Sequence, residues 1–88
     1  MTKTEYNYLY DSLCYGHDAE LSINGNKIFV EWNGEKIEIY HCINDEGQKI
    51  GEVSGGDRFC TVKILFETFI FKKTLNINYE EIDIVDIE

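Results

Sequence analysis

The chain has no proline, a single alanine (Ala19), a single arginine (Arg58) and three cysteines in 88 residues. It also lacks long apolar stretches. Ile64-Leu65-Phe66 is joined to Phe69-Ile70-Phe71 across two polar residues, with Lys63 and Lys72 at the flanks. That is too short to cross a bilayer. Residues Met1-Thr2-Lys3-Thr4-Glu5 show no basic region leading into an apolar one, so a secretory signal is not expected. Three cysteines, Cys14, Cys42 and Cys60, cannot all pair, and with no signal the expectation is reduced thiols packed as small apolar residues in a cytoplasmic protein.

Basic side chains are scarce: 8 against 17 acids, a net charge of −9. Phosphate backbones and anionic membranes are repelled by such a surface, which argues against direct nucleic-acid or membrane binding. A basic protein partner is attracted, although net charge also serves solubility alone. Twelve isoleucines beside so little Ala, Arg and Pro is the bias of AT-rich codons, pointing to a bacterial or phage genome.

What is present is patterned. Thr2 and Glu5 form a T-x-x-E capping box, Tyr6, Leu9, Tyr10 and Leu13 recur at helical spacing, and Gly16 offers a stop. Residues Ala19 to Ile23, Ile28 to Trp32 and Lys36 to about Ile43 alternate apolar with polar, and Asn24-Gly25-Asn26 and Asn33-Gly34 mark hairpin turns. A two-residue Asn33-Gly34 loop sets Trp32 opposite Glu35, Val30 opposite Ile37 and Ile28 opposite Ile39. It pairs Glu31 with Lys36 and Phe29 with Glu38 on the other face. Leu21, Ile23, Ile28, Val30, Ile37 and Ile39 then share one buried face. Asn44-Asp45-Glu46-Gly47 is a further turn before a fourth strand from Lys49 to Val53. Asp57 can cap a second helix carrying Phe59, Val62, Leu65 and Phe66 inward, although its β-branched and aromatic content also suits a strand. A helical turn at Leu75 to Tyr79 and a strand from Ile82 to Ile87 complete an α+β domain over residues 1–88. Its order is N-terminal helix, three- to four-stranded antiparallel meander, second helix, C-terminal strand.

The layout of Leu13-Cys14-Tyr15-Gly16, Glu20, Asn33-Gly34, Ile64-Leu65-Phe66, Ile70, Lys73-Thr74-Leu75 and Ile82-Asp83-Ile84 resembles small acidic proteins of unknown function from Firmicutes and their phages. The resemblance implies a bacterial or prophage setting and the helix–meander–helix order, and brings no catalytic residues.

Several groupings bear on chemistry. Cys14 and His17, with His41-Cys42 and Cys60, invite a zinc reading. Adjacent strand residues point to opposite faces, however, so His41 and Cys42 cannot easily share one ion, and packing roles are expected. As a nucleophile, Cys14 lies near a helix C-terminus that opposes thiolate, whereas Cys60 falls in a first turn beside Arg58, a more favourable place. Ser54-Gly55-Gly56-Asp57 lacks a phosphate-loop pattern, and Asp57 would repel an anion. Neither a catalytic residue nor a cofactor is expected.

Two acidic groups remain. Glu80, Glu81, Asp83, Asp86 and Glu88 crowd the last nine residues without a base, as a solvated tail or a guarded edge strand. The outer face of the meander carries Glu20, Phe29, Glu31, Glu38 and Tyr40, aromatics amid carboxylates. That face can meet a partner, form a homodimer, or lie beneath the second helix. The expectation is a non-enzymatic interaction domain, in its sharper form an acidic inhibitor of a basic nucleic-acid-binding protein. A structural homo-oligomer, or a metal or ligand binder using Cys14, His17 and Cys60, stands as the alternative.

Overall fold

The computed structural model describes residues 1–88. Helix α1 (Lys3–Cys14) is followed by β1 (Ala19–Ile23), β2 (Asn26–Asn33), β3 (Lys36–Ile43) and β4 (Glu46–Val53). Helix α2 (Arg58–Glu67), the short α3 (Leu75–Asn78), a 3-10 turn (Tyr79–Glu81) and β5 (Ile82–Ile87) complete the chain. The fold is α+β, with a five-stranded antiparallel sheet in the order β4-β3-β2-β1-β5.

The capping box forms as its residues dictate: Glu5 N–H donates to Thr2 Oγ1 at 3.1 Å, and Thr2 N–H donates to Glu5 Oε1 at 2.8 Å. Residues 58–67 are helical despite their β-branched and aromatic content. Asp57 accepts from Cys60 N–H at 2.8 Å, satisfying an orphan donor at the helix start, and Val62, Leu65 and Phe66 then fall on one buried stripe. Phe59 does not join them. In the first turn it lines an open groove beside the last turn of α1 and is largely exposed, while Thr61 takes the inward position.

Both helices cover the same face of the sheet. Leu9 and Leu13 from α1 and Val62, Leu65 and Phe66 from α2 form one cluster with Ala19, Leu21, Ile23, Ile28, Val30, Ile37 and Ile39. The six strand residues expected inside are all buried. Trp32 pins the layers: its indole Nε1–H donates to Leu13 C=O at 2.9 Å, and its backbone N–H donates to Asp18 Oδ1 at 2.9 Å.

The expected pairing of β2 with β3 is two residues out. The tip is Gly34-Glu35, so Trp32 faces Ile37, Val30 faces Ile39 and Ile28 faces His41. Gly34, at φ +67°, occupies the first central position of the tight turn, where a left-handed backbone suits glycine. Trp32 thereby meets Ile37 rather than a glutamate. Because side-chain direction repeats every two residues, the slip leaves the buried face unchanged. The outer pairs do change: Phe29 faces Tyr40, and Glu31 faces Glu38.

Each edge strand contains a bulge. In β4, Ile39 faces Gly51 and Tyr40 faces Lys49, which leaves Ile50 unpaired and exposed. In β5, Leu21 faces Ile84 and Glu20 faces Asp86, which leaves Val85 unpaired and exposed. Bulges and edge charges both hinder pairing with a foreign strand.

Candidate interaction face

The side of the sheet away from the helices is open, and it brings the acids of the meander's outer face together with Asp83 and Asp86 of the C-terminal group. The register places Asp86, Glu20, Phe29, Tyr40 and Lys49 in one row across five strands. A neighbouring row runs Glu31, Glu38, Glu52, and the row on the other side includes Asp83, Ser22, Lys27 and Cys42. The second helix does not cover Phe29 and Tyr40, which stay half-buried among their neighbours.

The two halves of this face differ electrically. On β3 and β4 the acids are neutralised. Glu38, only 9% exposed, accepts from Asn33 Nδ2 at 3.0 Å and Tyr40 OH at 3.1 Å, and pairs with Lys49 Nζ at 2.8 Å. Lys36 and Lys49 also bridge to Glu52. The Lys49 and Asn33 hydrogen bonds hold the Glu38 carboxyl down at about 2, against an ordinary value of 4.5. On β2, β1 and β5, Glu20, Glu31, Asp83 and Asp86 form no ion pair. Sheet geometry spaces such side chains about 5 Å apart between strands and about 7 Å along one. Burial raises the Glu31 carboxyl, and the charges of Asp18, Glu88 and Glu38 add to that. One base stands among them: Lys27 Nζ lies 5.9 Å from the Phe29 ring centre.

The C-terminal acids are therefore divided. Asp83 and Asp86 belong to the open face. Glu81 is engaged by Lys73 at 3.2 Å and by Asn78, and Glu80 is exposed on the 3-10 turn. Glu88 lies past the strand, its N–H donating to Asp18 C=O at 2.9 Å and its own C=O 3.1 Å from His17 Nδ1. The pairing of Lys36 and Lys49 with Glu38 and Glu52 had no sequence signal strong enough to reveal it, because the Ile50 bulge is what turns Lys49 to the outer face beside Glu52.

The groupings considered for other chemistry stay apart. No three His, Cys, Asp or Glu side chains converge as metal ligands, and all three cysteines are free. The Cys14 thiol is pushed up by burial and by Asp11. Cys60 departs from expectation: the Asp57 carboxylate beside it, which also takes the Cys60 backbone N–H, pushes the thiol up and favours it over the thiolate. Gly55 and Gly56 serve the turn into α2, where the Asp57 side chain accepts from the Cys60 N–H. No helix is long and apolar enough to cross a membrane.

The depressed Glu38 carboxyl makes stability depend on acid. Its pKa is lower folded than unfolded, so its contribution is complete above about pH 4.5 and is lost as pH falls toward about 2. Urea midpoints of the wild type and Glu38→Gln are expected to differ most above that window and to converge at its lower end. A constant difference across the window would show that the carboxylate is not the group responsible.

Compared with family models, curated proteins and solved structures, the chain matches none.

Proposed function

We propose that this chain is a non-enzymatic interaction domain of bacterial or phage origin, and that its open sheet face receives a basic protein partner. The observation that carries the reading is the set of bare carboxylates, Glu20, Glu31, Asp83 and Asp86, arranged beside the Phe29–Tyr40 pair on a rigid sheet. Aromatic side chains supply contact area at small entropic loss, and unpaired carboxylates supply long-range attraction and bidentate acceptors for arginine. The paired Glu38–Lys49–Glu52 side offers little to a cation, and that supports an attractive centre over β2, β1 and β5. The sharper form of the reading is an inhibitor that occupies the nucleic-acid cleft of its partner, carboxylates standing where phosphates would. Charge of this sign on a fixed lattice supports it.

The test uses a triple reversal, Glu20→Lys, Glu31→Lys and Asp86→Lys, at exposed or partly exposed positions. Immobilised wild type is expected to retain a basic protein from a bacterial lysate at low salt and release it at high salt. The triple variant should lose at least about two orders of magnitude in affinity for that same purified partner. Displacement of a DNA duplex from the partner by the wild type would support the inhibitor form. A partner retained equally by the reversed variant would overturn the assignment of the face.

A further inference from the structure

A second exposed patch lies on the helical side. Tyr8 and Asp11 lie on the face of α1 opposite Leu9 and Leu13, Tyr15 follows at the helix's C-terminal cap, and Arg58 and Phe59 in the first turn of α2 line a groove with Asp11 and Tyr15. Three of these rings face solvent: Tyr8 is 62% exposed, Phe59 68% and Tyr15 79%. Tyr15 and Phe59 form part of an open groove of about 490 Å³, whose walls also include Tyr10, Asp11, Cys14 and Arg58. Exposed aromatics gathered this way mark a contact surface rather than scattered surface residues.

The charges identify what fits there. Arg58, the only arginine, forms no ion pair; one N–H donates to Tyr15 C=O at 3.3 Å and steadies the guanidinium at the groove's lip. Asp11, across the same groove, forms no ion pair either. Asp11 and Arg58, opposite in charge and both unpaired, flank the groove's exposed rings and make it self-complementary, with Glu88 outside the groove beside Tyr8. Under a two-fold rotation Asp11 of each copy meets Arg58 of the other, and the rings pack between. A net charge of −9 opposes self-association; four of the unpaired acids, Glu20, Glu31, Asp83 and Asp86, sit on the open sheet face, turned away from the helices, whereas Glu88 stays beside Tyr8 and Tyr15.

We infer that the chain forms a two-fold homodimer through the C-terminal half of α1 and the first turn of α2, with reciprocal Asp11–Arg58 pairs around Tyr15 and Phe59. Such a dimer points its two acidic sheet faces outward, where a partner with repeated basic sites can be held at both.

Sedimentation of the full chain from micromolar to submillimolar concentration tests this. The wild type is expected to sediment as a dimer. Asp11→Arg alone and Arg58→Asp alone should each weaken association by at least about tenfold. The double variant, Asp11→Arg with Arg58→Asp, should regain the dimer because the pairs are restored with reversed polarity. Both positions are exposed, and circular dichroism checks that the fold is kept. Tyr15→Ser with Phe59→Ser should be monomeric without any change in charge. A wild type that stays monomeric throughout would overturn the proposal. So would a dimer indifferent to both reversals, one that dissociates only on changes at Phe29 or Tyr40, or a double variant no better than the singles. No basic partner enters the measurement, so its outcome is separate from that of the sheet-face reading.

Discussion

Replacing Phe66 by alanine is expected to remove about 3–5 kcal/mol of stability. The side chain is 2% exposed at the junction of α2 with α1. Its ring takes the edge of Tyr6 at 5.3 Å between centres and that of Tyr10 at 4.9 Å, with planes at 85° and 71°. Truncation therefore deletes apolar burial, leaves a cavity between two helices and breaks two edge-to-face contacts. A domain of this size has a total stability of roughly 4–13 kcal/mol, so the variant should lose about a quarter or more of it and be barely folded if the wild type lies at the lower end. Phe69→Ala, three residues on, is the control: that ring is 74% exposed and its removal should change stability by less than about 0.5 kcal/mol. Urea unfolding followed by circular dichroism reads both. A loss below about 1 kcal/mol at Phe66 would mean that α2 does not pack on α1 as described.

Gly55→Ala should be nearly as damaging, by about 3 kcal/mol, although Gly55 has an ordinary backbone conformation. A Cβ there would lie 2.6 Å from the Cys60 carbonyl carbon, 2.8 Å from Cys60 Cβ and 2.8 Å from Thr61 N. Two of those atoms are helix backbone, which cannot swing aside. Moving the loop instead would break the bond from Gly55 N–H to Thr61 Oγ1, 2.9 Å long, whose hydroxyl donates in turn to Asp57 C=O at 2.7 Å. Gly56→Ala is the informative comparison. Gly56 has φ +91° but open space around it, so its penalty is the left-handed backbone alone, about 1–2 kcal/mol. Thermal or urea unfolding should rank Gly55→Ala below Gly56→Ala. The reverse order would show that backbone freedom, not close approach, is what this turn requires.

The pair Gly55-Gly56 also shows where sequence reasoning stops. Two adjacent glycines announce a turn, but nothing local says which one touches the helix that follows. Phe59 is a similar case. Its spacing from Val62 and Phe66 is helical, yet in the first turn of α2 it lines an open groove beside the last turn of α1 and stays exposed, while Thr61 is buried. Cys60 differed for another reason: Asp57, placed to cap the helix, also controls the thiol beside it.

By itself the sequence determined the order of the elements and the buried face of the meander, while leaving residues 58–67 open between helix and strand. Each rests on local information: a capping box, turn residues, and a two-residue repeat whose parity survives a register slip of two. Only the tertiary structure decided which acids stand together. Strict alternation along Ile82–Ile87 would send Asp83 and Asp86 to opposite sides, and the Val85 bulge, with pairing of β5 to β1, turns both outward beside Glu20. The Ile50 bulge likewise carries Lys49 to Glu38 and Glu52, leaving one half of the face neutral and the other bare. A bulge depends on how a strand is held by its neighbour across the sheet, and that is a long-range property no local pattern in the chain contains.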